Sequence, residues 1–275
     1  MTGGETEAGC ASGRGKEGKR MKIALVTGAS SGLGQAFVQR LERDPEVEGY
    51  WLVARRRERM EQLAASLSKP AEIFSLDLLR REDLDCLSER LAQEKPRVSL
   101  LINCAGFGKF GTCYDLTQEE NDGMIDLNCR AAVAVTTACL PYLYWGSRVI
   151  QVASSAAFQP LPGFGVYAAS KAFLLRYTRS LRWELAPKGI RVTALCPGWV
   201  NTEFIQVARD TRNSRAVNHI PLRANPQRVV AAALAGNRVG LAVVTASPFT
   251  LVQRIGAKLL PSCVIMAVWE AARRV

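Results

Sequence analysis

The chain has 275 residues, 48% of them apolar, enough to bury the core of one large domain. It carries 36 Lys and Arg against 25 Asp and Glu, for a net charge of +11. No apolar run reaches the ~20 residues of a bilayer span, and no recognition motif or aromatic-basic interleaving accompanies the positive charge, so nucleic acid is not an expected partner.

Residues 1–20 are Gly-rich and polar, without the apolar stretch of a secretory signal, and are expected to form a disordered tail. Residues 21–275 are expected to form a single domain. The first candidate strand, Ile23–Thr27, runs into Gly28-Ala29-Ser30-Ser31-Gly32-Leu33-Gly34 and a helical pattern over 32–43. Glycines let such a corner turn tightly and approach a ligand. The free N–H groups of a helix that starts there favour a phosphate. A second strand, Tyr50–Ala54, ends in Arg55-Arg56-Arg57 and is followed by a helical pattern over 57–68. A carboxylate at that strand end would select NAD through the ribose hydroxyl. Arginine forks suit the extra phosphate of NADP instead, and as mere decoration they would be misplaced at a helix N-terminus. NADP(H) is therefore expected in preference to NAD(H).

A third strand, Glu72–Leu76, leads to Asp77-Leu78 and a helical pattern over 81–94. The fourth, Leu100–Asn103, leads to Asn103-Cys104-Ala105-Gly106, followed by a helical pattern over 117–144 that contains Asn128. The fifth, Val149–Ala153, stops at the adjacent hydroxyls Ser154 and Ser155, ahead of a helical pattern over 166–186. On that helix Tyr167 precedes Lys171 by four residues, one turn, so the two share a face. An ammonium beside a phenol favours the phenolate and lowers its pKa, which would make Tyr167 a general acid/base. The sixth strand, Arg191–Leu195, is broken by Cys196-Pro197-Gly198, and a polar, Arg-rich lid is expected over 199–224. Asn225-Pro226 has the chemistry of a helix start, and a seventh strand is expected at Leu241–Thr245.

Repeated strand–helix alternation, with the first six strands rich in Val, Ile and Leu, predicts an α/β fold. The expected architecture is a Rossmann-like, doubly wound parallel sheet of about seven strands with helices on both faces.

These motifs, in this order over roughly Lys22 to Thr202, resemble the short-chain dehydrogenase/reductase family. The resemblance implies a cofactor loop at Gly28, Ser30, Ser31, Gly32, Leu33 and Gly34, with Arg55 and Arg56 beside the adenosine phosphate and Asp77 and Leu78 at the adenine. It assigns Asn103, Ala105 and Gly106 to a turn near the cofactor, where Cys104 replaces a second Asn of the family pattern. Pro197, Gly198, Val200 and Thr202 match the segment that meets the nicotinamide end. The implied catalytic tetrad is Asn128, Ser154, Tyr167 and Lys171, and family spacing favours Ser154 over Ser155. Tyr167 would exchange a proton with the substrate oxygen, Lys171 would hold the nicotinamide ribose, and Asn128 would anchor a water leading to Lys171. The family further implies a homodimer or homotetramer joined through the helices near 117–144 and 166–186.

The expected activity is interconversion of a carbonyl and an alcohol by NADP(H)-dependent hydride transfer. Phe107, Phe110, Phe158, Leu161, Phe164 and Trp199 lie near motif ends and divide evenly between pocket and core readings, so the substrate is expected to be lipophilic. A catalytically silent nucleotide-binding protein is the alternative of another class. None of the eight cysteines forms a C-x-x-C pair, and the one histidine, His219, offers no ligand cluster, so no metal is expected. Reduced cysteines suit a cytoplasmic protein. Residues 204–275 hold ten Arg or Lys and two acids, a net +8. The apolar, basic tail Val239 to Val275, which includes the basic C-terminal segment 247–275, is expected to form a last strand and helices packed on the sheet or on a neighbouring subunit, with docking on a lipid surface as the alternative.

Overall fold

A computed structural model describes residues 20–218, 220 and 223–274. The expected tail at 1–20 lies, but for Arg20, outside the described residues, as do Cys10 and His219. Seven parallel strands are laid down in the order β3-β2-β1-β4-β5-β6-β7. They are β1 (Lys22–Thr27), β2 (Gly49–Ala54), β3 (Ala71–Ser75), β4 (Arg97–Asn103), β5 (Arg148–Val152), β6 (Arg191–Leu195) and β7 (Val243–Val244). The connecting helices are α1 (Gly32–Leu41), α2 (Arg57–Ala65), α3 (Arg81–Glu94), α4 (Gln118–Ile125), α5 (Ala132–Cys139) and α6 (Gly165–Leu185). After β6 come α7 (Phe204–Arg209) and α8 (Pro226–Arg238), and after β7 come α9 (Pro248–Leu259) and α10 (Ser262–Arg274).

Side chains alternate across each strand, so consecutive apolar residues feed two separate cores. Val26, Leu52 and Ile102 pack with Val38 and Leu41 of α1, Met60 of α2 and Val230 of α8. Leu25, Trp51 and Leu101 pack on the opposite face with Leu87 and Leu91 of α3, Val135 of α5 and Leu181 of α6. The sheet reverses winding between β1 and β4, which opens a crevice at their carboxyl ends.

Six strands fall within three residues of the expected boundaries. The seventh is shorter: β7 pairs with β6 only through Val243 and Val244, at the sheet edge. The helical stretch expected over 117–144 is broken by a π-helical turn at Asp126–Ala131 between α4 and α5. Such turns are rare and concentrate at functional sites. The start of α8 follows the sequence signal, with the Asn225 side chain accepting from Gln227 N at 2.8 Å and Pro226 in the first turn. The basic C-terminal segment forms two helices. These pack on the loops above the sheet: Trp269 Nε1 donates to Pro162 O at 2.8 Å, and Arg273 donates to Ala216 O at 2.7 Å.

Candidate active site

The glycine corner is shaped by backbone crowding. Gly28 has φ +69°, and a Cβ there would sit 2.9 Å from Ala105 N. A Cβ on Gly34 would collide with the Gly28 carbonyl oxygen. Ser31 at the N-cap of α1 makes no side-chain cap, and the first turn holds no acid, so the leading N–H groups and the positive helix end face the crevice. Thr27 Oγ1 receives Cys104 N and Ala105 N at 3.0 and 3.1 Å, tying the ends of β1 and β4 together.

Above the crevice lies a cavity of about 1300 Å³. Gly28, Ser30, Ser31, Gly32 and Leu33 form its floor, with Ala105 and Gly106 from the end of β4. Arg55 and Arg56 border one end with Asp77 and Leu78, while Pro197, Gly198, Val200 and Thr202 form the wall after β6. Arg56 reaches back to Ser30 Oγ at 3.3 Å and Ser31 Oγ at 2.7 Å. Asp77 Oδ1 accepts from Leu79 N at 3.1 Å, which fixes the loop after β3.

Ser154, Tyr167 and Lys171 meet in the middle of this cavity. Of the two adjacent serines, Ser154 is the one whose hydroxyl acts on the Tyr167 phenol, opposing the upward shift that burial gives it. The Ser154 oxygen is steadied by Ala156 N at 3.1 Å. Ser155 is tied by its own backbone N–H to Pro197 O at 2.8 Å. Lys171 is 4% exposed, donates to Val152 O at 3.0 Å, and places its Nζ 5.7 Å from the centre of the Tyr167 ring.

Burial reverses the expected direction for the phenol. It pushes Tyr167 above the ordinary tyrosine value, with the Ser154 hydrogen bond acting in the opposite sense. The same burial pushes Lys171 down to about 8, and the neighbouring thiols Cys104, Cys129 and Cys196 only partly oppose it. Desolvation disfavours whichever form carries charge, so it drives an acid up and a base down. A phenol in this setting keeps its proton at neutral pH and is suited to donate it.

Three expected site residues stand outside the cavity lining. Asn128, fully buried in the π-helical turn, accepts from Phe107 N at 3.1 Å and donates to Phe107 O at 2.9 Å and Ser170 Oγ at 3.0 Å. Ser170 in turn donates to the Tyr167 carbonyl at 2.8 Å, so Asn128 couples the loop after β4 to the helix bearing the phenol. Asn103 donates to Ala132 O and Thr136 Oγ1 at 3.2 and 2.9 Å, joining β4 to α5. Gly34 lies beneath the corner against Gly28.

The aromatic residues divide. Phe107, Leu161, Phe164 and Trp199 line the cavity. Phe110 is wholly buried in the core, and Phe158 packs with Ala153 and Cys196 behind the wall. Phe164 stacks on Tyr167 with centroids 4.2 Å apart, and Phe204 tilts against it at 5.4 Å. Sequence reading missed Glu203, whose carboxylate bonds both Arg56 and Arg59 and is held below the usual carboxylate range chiefly by Arg56. It also missed the wall that α9 and α10 give the cavity through Val252, Leu260 and Val268. Nothing in the sequence pairs Glu203 with residues about 150 positions earlier, whereas the helix start at Ser247-Pro248 was a readable signal.

The family model for short chain dehydrogenase matches residues 22–213, well over half of the chain. The chain belongs to the short-chain dehydrogenase family. An uncharacterised oxidoreductase of Staphylococcus epidermidis is 34% identical over 187 residues, covering 67% of this chain and 80% of its own. A short-chain dehydrogenase from Sphingobium yanoikuyae, solved with NADPH, is 28% identical with a TM-score of 0.73, covering 92% and 94% of the two chains. A 3-ketoacyl-(acyl-carrier-protein) reductase from Brucella melitensis, solved with NADH, is 25% identical with a TM-score of 0.68, covering 82% and 96%. This short-chain dehydrogenase is accordingly an oxidoreductase with a nicotinamide dinucleotide cofactor.

Proposed function

We propose that the protein reduces the carbonyl of a lipophilic substrate to an alcohol with NADPH, and runs the reverse oxidation with NADP+. The observation that carries this reading is the Ser154–Tyr167 hydroxyl pair within an apolar, aromatic-walled cavity continuous with the glycine corner. The dinucleotide fits the corner: crowding leaves no room for a Cβ at Gly28 or Gly34, and uncapped N–H groups of α1 suit a pyrophosphate. Arg56, with Arg55 beside it, would hold the 2′-phosphate, and Asp77 and Leu78 would border the adenine. The nicotinamide, when bound, supplies or accepts the hydride.

The chain's own residues do the rest. Ser154 and Tyr167 both donate to the carbonyl oxygen, and Tyr167 releases its proton to that oxygen as the alcohol forms. In oxidation the phenolate oxygen takes the alcohol proton. Lys171 places a cation next to the phenol and would hold the nicotinamide ribose. Asn128 keeps the Phe107 loop and the Tyr167 helix in register. Phe164 and Trp199 exclude water and favour an apolar substrate.

Exposed Ile125 on α4, with Phe173 and Trp183 on α6, supports assembly as a homodimer or homotetramer through those helices. The seven described cysteines are all free thiols, which supports a cytoplasmic setting. The test is a spectrophotometric screen of the purified protein with NADPH and NADH against ketones, aldehydes, hydroxysteroids and small polar carbonyls. NADPH consumption with apolar carbonyls is expected. Binding of NADPH without consumption by any carbonyl would instead favour a silent nucleotide-binding protein.

A further inference from the structure

Among the described residues, seventeen large apolar side chains are exposed, and eight of them lie between Phe249 and Val268 on α9, α10 and their junction. These split into two stripes. Phe249, Val252, Leu260 and Val268 line the cavity. Leu251, Ile255, Leu259 and Val264 do not; they are 46%, 49%, 76% and 44% exposed and face away from the domain. On α9 the first three recur every fourth residue and so form one continuous face. The face α9 turns inward carries Thr250, which is buried, and Gln253, whose amide donates to Ser155 O at 3.5 Å. The helix is thus amphipathic in the opposite sense to a core helix, with its apolar stripe outside.

Charge selects the occupant. The only charged residues of α9 are Arg254 and Lys258, and exposed Lys258 borders the apolar stripe. On α10 the one acid, Glu270, is bonded to Arg273 at 2.8 Å. A second copy on this face would set cation against cation. An anionic headgroup layer complements the cations while the acyl boundary takes the apolar stripe. We propose that the outward face of the α9–α10 hairpin docks on an anionic lipid surface. The inner stripe of the same hairpin walls the cavity, so docking would set the outside of that wall against the lipid. The docking itself stands independently of the catalytic reading.

The full chain would be floated on a density gradient with vesicles of phosphatidylcholine alone or enriched in phosphatidylglycerol. The test variant is the triple substitution Leu251→Asp, Ile255→Asp and Leu259→Asp, whose residues lie outside the cavity; circular dichroism and melting report its fold. The full chain is expected to float with the anionic vesicles, and the triple variant to lose at least about tenfold of that bound fraction. Lys258→Glu, a surface change that leaves the core alone, should weaken anionic binding by at least about fivefold, and added salt should weaken it further. Equal flotation of wild type and triple variant would overturn the proposal, as would wild type remaining unbound to both vesicle types. A wild-type dimer that the triple variant converts to monomer, with neither floating, would assign the face to a second copy. If the triple variant misfolds, indifference of wild-type flotation to both Lys258→Glu and salt would overturn it.

Discussion

Arg56 lies where cofactor choice and chain geometry meet. Its guanidinium is already held by Ser30, Ser31 and Glu203, so a 2′-phosphate would find an oriented fork. Arg56→Ala should weaken NADPH binding by about 10- to 100-fold, the worth of a charge-assisted pair, and leave NADH nearly unchanged. Nucleotide titration by fluorescence reads both; equal losses would count against the assignment. Lys171 makes a second test. With its pKa lowered to about 8 from 10.5, the folded chain disfavours the ammonium, most strongly below pH 8 where both folded and unfolded forms are charged. Lys171→Met should therefore be more stable than wild type at pH 7 by on the order of 3 kcal/mol. That advantage should shrink as pH rises from about 8 toward 10.5. Urea denaturation at pH 7 and pH 10 checks both sign and window. That Tyr167 and Lys171 share one helix face was legible from helix periodicity, whereas the strand end offered both Ser154 and Ser155 and only the family resemblance chose between them. The direction of the phenol's shift was not legible, because spacing reveals a neighbour and conceals burial.

At the level of elements, the β1–α1 corner sets two effects against each other. Gly34→Ala would gain up to ~1 kcal/mol of helix propensity. The new Cβ would meet the Gly28 carbonyl oxygen, a rigid backbone atom, and overpacking of this kind costs ~1–3 kcal/mol or more. The clash wins, so the variant should melt lower and bind nucleotide weakly; an unchanged melting temperature with unchanged affinity would contradict the packing described. Strand and helix order through β6 could be read from apolar periodicity. The π-helical turn could not: it carries Asn128, whose partner Phe107 lies 21 residues earlier in the loop after β4, a contact that local periodicity does not encode. The outer stripe of the α9–α10 hairpin escaped for a related reason. Leu251, Ile255, Leu259 and Val264 stay exposed and off the cavity, which reverses the pattern that a globular sequence leads one to expect.

For the molecule as a whole, one buried charge cluster ties the layer of α1 and α8 to the sheet. Asp44, 3% exposed, accepts from Arg148 of β5 at 2.7 Å and lies 3.1 Å from Arg238 of α8. Burial alone would raise its pKa, but Arg148 and Arg238 outweigh it and hold the carboxyl below its usual range. Asp44→Ala leaves Arg148 buried and unpaired, and should cost about 3–5 kcal/mol at neutral pH by urea denaturation. A depressed carboxylate stabilises above its unfolded value and loses that contribution as pH falls through the folded one, so the difference between variant and wild type should close below pH 3.8.

All of this organises around one phenol, and Tyr167→Phe tests it most directly. The substitution removes a single oxygen and keeps the ring that stacks on Phe164. NADPH titration and NADPH consumption would be measured on the same preparation with a carbonyl that wild type reduces. The account predicts nucleotide affinity within about twofold of wild type and turnover lower by at least about 100-fold. Turnover equal to wild type, with the nucleotide bound, would contradict it.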